Sequence, residues 1–82
     1  MHEMGIAQSV MNIVEKQLAS HPGAEARTIG LRIGAYAGVD ESSLTFCFDC
    51  LKADTPLHDV TLKIEHADRD ELDVVFVEME VP

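Results

Sequence analysis

The residues best suited by type and order to do chemistry stand at the start of the chain, Met1-His2-Glu3. A free amino terminus would offer the Met1 amine, the His2 amide nitrogen and imidazole, and the Glu3 amide and carboxylate. Chelation through amine, amide and imidazole closes a five-membered and then a six-membered ring. An amide nitrogen must lose its proton to bind, and Ni(II) and Cu(II) can drive that loss and accept a planar set of nitrogens. Zinc settles into tetrahedral sites and suits such a set less well. The chemistry implied is a square-planar nickel or copper site made by Met1, His2 and Glu3. The plainer reading is a loose tail residue at His2, because chain ends are usually poorly tied down.

The other candidate ligands point elsewhere. Cys47-Phe48-Asp49-Cys50 is a lone CxxC. Structural zinc needs four ligands, and no second pair is present. Cys47 also falls on an apolar helical stripe, where cysteine acts as a small hydrophobe. A redox pair would want a helix start and a lowered thiolate pKa, whereas this pair lies in mid-helix. His21, His58 and His66 are scattered through loops; His58 or His66 would supply a further nickel ligand only if folded near His2. No serine or cysteine stands in a nucleophile motif with a histidine. The glycines of Gly34 to Gly38 are misplaced for a phosphate-binding loop. No enzyme is expected.

The elements that must position these residues read as helix, strand, helix, strand, strand. Ile6, Val10, Ile13, Val14 and Leu18 follow helical spacing, flanked by Ala7 and Met11, and predict a helix from residue 3 or 4 to about residue 20. His21-Pro22-Gly23 stops it. Ile29, Leu31 and Ile33 alternate with Thr28, Gly30 and Arg32, a half-buried strand over 27–33. Asp40 is a suitable N-cap with Glu41 in the first turn, and Leu44, Cys47, Phe48 and Leu51 share one face of a helix ending near 52–54. Val60, Leu62 and Ile64 alternate into a second strand, 66–71 forms a polar turn, and 72–81 a third strand. The last two strands could pair as a hairpin. On the third, Val75, Val77, Met79 and Val81 are expected to meet the helices. Val74 and Phe76 then lie opposite, as partly covered surface or as a contact patch for a partner or a second copy in a homodimer. The fold class expected is a two-layer α+β domain with two helices on a three-stranded sheet, one unit over 1–82.

Composition narrows the function classes. The 82 residues are 46% hydrophobic and 26% charged, the balance of a folded domain with a thin core. The net charge of −9 disfavours nucleic acid and anionic membrane surfaces, and favours a metal cation or a basic protein surface. No apolar run approaches the roughly 20 residues of a membrane span. With no basic stretch followed by an apolar core at the start, no secretory leader is expected. A reducing cytoplasm with free thiols follows.

Five stretches in order resemble the HypA/HybF family of [NiFe]-hydrogenase maturation proteins. They are Met1-His2-Glu3-Met4 with Ile6-Ala7-Gln8-Ser9; Leu31-Arg32-Ile33-Gly34 with Gly38-Val39; Ser43-Leu44 with Phe46 and Phe48; Thr55-Pro56-Leu57 with Leu62-Lys63-Ile64-Glu65; and Glu71-Leu72 through Val77-Glu78-Met79-Glu80. The resemblance implies a metallochaperone that delivers Ni(II), with Met1, His2 and Glu3 as the metal-binding residues and His2 as the side-chain ligand. It implies as partners a nickel-binding GTPase and the hydrogenase large subunit, with urease a further client of some members. The sequence departs from the family in one large way. The family's zinc domain is missing between about 66 and 71, so no structural zinc is expected. It departs in a small way at Ala35, where the family often has Glu. Both departures bear on partner docking. The alternative function is a protein-interaction or adaptor module without a metal role of its own; a thiol redox role for Cys47 and Cys50 is a third.

Overall fold

A computed structural model describes residues 2–82. The order is α1 (Glu3–Ala19), β1 (Glu25–Gly34), α2 (Glu41–Lys52), β2 (Thr61–Ala67) and β3 (Leu72–Glu80). Both helices contribute to one core against a mixed sheet, as the α+β reading expects. The buried stripe of α1 is Ala7, Val10, Met11 and Val14, spaced three, one and three residues apart, so that they line one helical face. The stripe is rotated by part of a turn from the expected one. Ile13 stands 46% exposed, because Ala7 and Met11 take the inner positions. After Ala19 the chain turns through Gly23, whose φ of +85° is left-handed backbone that glycine adopts without a Cβ penalty.

α2 begins where its sequence says it should. The Asp40 carboxylate accepts a hydrogen bond from the Ser43 amide at 3.0 Å, satisfying one of the helix's orphan donors. Leu44 and Phe48 on its inner face are fully buried. The loop to β2 is pinned by Leu57 and Val60, both at 1% exposure or less.

The sheet departs from the expected pairing. β1 is the centre, β2 lies parallel on one side and β3 antiparallel on the other, in the order β2-β1-β3. β2 and β3 form no hairpin. The α2 crossover supplies the long connection that a parallel pair requires. The 68–71 segment then crosses the end of β1. Gly34, Ala35 and Tyr36 donate their amides in turn to the carbonyls of Glu71, Ala67 and Arg69 at 2.7–2.9 Å. Pairing with β1 satisfies both sides of the most buried strand, whereas a β2–β3 hairpin would leave one side bare.

A bulge corrects the facing of β3. Gly30 pairs with Phe76 but Leu31 pairs with Val74, so Val75 is an extra residue. One inserted residue reverses the alternation beyond it. Val77 meets the core as expected, and so do Leu72 and Val74, while Phe76 keeps the opposite face at 44% exposure.

Two glycines sit where neighbours approach closely, and they should respond differently to alanine. A Cβ on Gly34 would collide with the Arg69 carbonyl oxygen, a backbone atom held in the crossing loop. A Cβ on Gly30 would collide with the Phe76 ring, but that half-exposed ring can swing into solvent. Gly34→Ala is expected to cost about 1–3 kcal/mol in a urea melt, as overpacking does, and Gly30→Ala clearly less. The reverse ranking would show that the crossing loop yields more easily than the ring.

Candidate metal centre

His2 is the residue before α1, exposed and in extended conformation, with no side-chain hydrogen bond capping the helix. Its carbonyl accepts the first intrahelical bond, from the Ile6 amide at 3.2 Å. The amides of His2 and Glu3 precede that bond and have no acceptor within the helix. The helical ladder therefore takes up neither of the two backbone nitrogens that a planar metal site would need. The partial positive charge of the helix start favours negative charge there, including that of a deprotonated amide. The expectation for Met1 lies outside the described residues.

The Glu3 carboxylate turns toward α2. Its Oε2 accepts a hydrogen bond from the Asp40 amide at 3.1 Å. That bond, with smaller help from its own backbone N–H, holds the Glu3 carboxyl below its ordinary value of 4.5. It ties the start of α1 to the start of α2, residues 37 apart in sequence. A carboxyl with a lowered folded-state pKa stabilises the fold fully above its ordinary value and loses that contribution as pH falls through the lower one. The Asp40 amide resonance should therefore titrate in acid with a midpoint under 4.5, and Glu3→Gln should abolish the step. A midpoint at or above 4.5 would show that the bond does not hold the carboxylate in solution.

A second contact joins β2 to the same end of α2. His66 Nε2 lies 2.9 Å from both carboxylate oxygens of Glu41, the residue after Asp40. Of the scattered histidines, His66 alone shares this end of the molecule with Glu3. His21 follows the far end of α1, whose 17 residues span about 25 Å. Its Nδ1 hydrogen-bonds the Gln17 carbonyl at 2.9 Å. His58 follows the far end of α2, whose 12 residues span about 18 Å, and it pairs with Asp59 at 3.2 Å. The expected facing of Cys47 holds: it packs against the core, with Cys50 exposed, both free thiols. Among the described residues no three His, Cys, Asp or Glu side chains converge as a ready-made metal cluster. A site built mainly from backbone nitrogens of consecutive residues does not need one.

Sequence reasoning reads Asp40 only as a helix cap and misses both its bond to Glu3 and the Glu41–His66 pair. Each joins residues at least 25 apart, and no local spacing announces them. It also misses a groove of about 360 Å³ between α1 and β3, with His2 on its wall beside Ile6, Ile13 and Val74. Among the described residues no helix is long and apolar enough to cross a membrane.

Comparison with known proteins gives the family. A family model described as hydrogenase/urease nickel incorporation, metallochaperone, hypA matches residues 1–70. The hydrogenase maturation factor HybF of Klebsiella pneumoniae is 38% identical over 65 residues, covering 79% of this chain and 58% of the relative. HypA of Desulfatibacillum aliphaticivorans is 36% identical over 66 residues, covering 79% and 51%. HypA of Escherichia coli (strain K12) is 41% identical over 49 residues, covering 60% and 42%. The chain thus spans about half the length of the curated relatives it matches. No solved structure matches it significantly.

Proposed function

Because this chain belongs to the HypA family of hydrogenase and urease nickel-incorporation metallochaperones, we propose that it is a nickel-binding module carrying Ni(II) as cargo for [NiFe]-hydrogenase maturation. The family is one of maturation factors and not of enzymes. The metal is gripped by the Met1 amine, the His2 amide and imidazole, and the Glu3 amide. The observation that carries this reading is that α1 starts at Glu3 and leaves the His2 and Glu3 amides without helical acceptors. The Glu3 carboxylate meanwhile fixes the start of α1 against α2. The partners proposed are the nickel-binding GTPase and the hydrogenase large subunit, in the cytoplasm. Cys47 and Cys50 both lie on α2, which supports the reading without structural zinc.

The test is calorimetric titration of untagged protein with Ni(II), beside a form extended by a few residues ahead of Met1. Extension destroys the amine ligand, so affinity should fall by at least about 10–100-fold, and the yellow planar d⁸ band should vanish. Affinity should also fall as pH falls, because protons compete for imidazole, amine and amide. Equal affinity for both forms would leave the competing reading, an adaptor without its own metal, which the apolar groove beside His2 favours.

A further inference from the structure

The sheet order leaves one edge of β3 without a strand partner among the described residues. That edge runs for nine residues, Leu72–Glu80, with no lysine or proline to blunt it. Edges of such length expose a row of backbone donors and acceptors that can template another strand. Beside it lies the 360 Å³ groove against α1, and a second of about 440 Å³ lined by Ile13, Phe76, Met79 and Val81. The two share Ile13 and Val74, so they form one apolar channel along the strand. Ile13 and Val81 stand 46% and 68% exposed there.

We propose that this channel docks an extended segment of a partner protein, alternating apolar and basic residues, added as a new strand on the free edge of β3. Backbone pairing would hold the segment, and its apolar side chains would enter the groove at alternate positions. Charge selects the partner. Asp73, Glu78 and Glu80 along β3 are exposed; on β1, Arg27 is already paired with Glu80 at 2.9 Å and Glu25 at 3.0 Å, and Arg32, in register with Asp73, with Glu65 at 3.4 Å. The whole chain carries −9. A second copy pairing through β3 would bring acidic residues against acidic residues, which opposes self-association. A basic segment reverses the sign of that term. His2 lies on the wall at one end of the channel, so the occupant comes to rest beside the proposed metal ligand. Resting on the nickel reading for this last step alone, the channel is where the metal changes hands.

The probe is a synthetic nine-residue peptide alternating valine and lysine, with its valine–glutamate counterpart as control, both added to untagged protein at fixed ionic strength. The basic peptide should slow amide exchange along β3, shift Ile13 and Val74 resonances, and lose affinity as salt rises. Ile13→Asp should weaken it at least about tenfold, the effect of one central contact. Joint Asp73→Lys and Glu78→Lys, both at exposed positions, should invert the preference toward the glutamate peptide. Shifts mapping to another face, equal binding of both peptides, or unchanged binding by these variants would overturn the proposal. So would a concentration-dependent dimer with protected β3 amides and no peptide, which would give the edge to a second copy. Nickel titration of the same samples separates the two readings, since Ile13→Asp leaves the amino-terminal donors untouched.

Discussion

Replacing His2 by alanine in untagged protein should lower Ni(II) affinity by more than about 100-fold, because removing a ligand costs more than removing the outer-shell partner of one. On the free-energy scale that exceeds about 2.7 kcal/mol. The chelate loses its six-membered ring, and its neighbour ring no longer has an imidazole to anchor deprotonation of the His2 amide. Stability should change by no more than about 0.5 kcal/mol, since His2 is exposed and makes no side-chain cap. The pair of measurements is decisive because the effects separate: a titration that loses nickel beside an unchanged urea melt assigns the loss to the ligand. Unchanged nickel affinity would remove imidazole from the site and with it the nickel reading.

Phe48→Ala should produce the largest loss of stability from a single side chain. Phe48 is 1% exposed and faces inward from α2, and the change leaves a cavity that a rigid sheet cannot fill. The expected cost is about 3–5 kcal/mol. It also removes the ring under Lys52 Nζ, 5.6 Å from its centroid. A domain of this size has only about 4–12 kcal/mol in hand, so about a quarter or more is lost. The melting temperature should drop by at least about 12 °C. Asp40 caps α2, so the Glu3 bond should weaken with it. The proposed nickel donors are consecutive, however, and survive unfolding in large part. Nickel should therefore protect the variant much less than a ligand that binds only the native state would. A strong nickel-dependent rise in melting temperature would show that the fold contributes a ligand, and His66 is then the residue to replace.

Local chemistry makes several features legible in the order of residues alone. The donor order Met1-His2-Glu3 is contiguous, so its chelating potential is written in neighbouring residues. The spans of both helices, the Asp40 cap and the inward Ile29-Leu31-Ile33 face rest on interactions within four residues or on strict alternation. The family pattern belongs to this same local level. Less legible is the rotation of α1, where Ala7 and Met11 displace Ile13 from the core. Small and flexible side chains pack where helices come closest, and hydropathy alone does not rank them.

Tertiary structure decided the rest: β1 as the central strand in place of a β2–β3 hairpin, the Val75 bulge, the Glu3–Asp40 and Glu41–His66 contacts, and the channel with His2 on its wall. Each depends on pairing between segments far apart in sequence, where competing partners offer the same hydrogen-bonding groups. The winning arrangement is chosen by total apolar burial across all three strands and both helices, a sum that no local window contains.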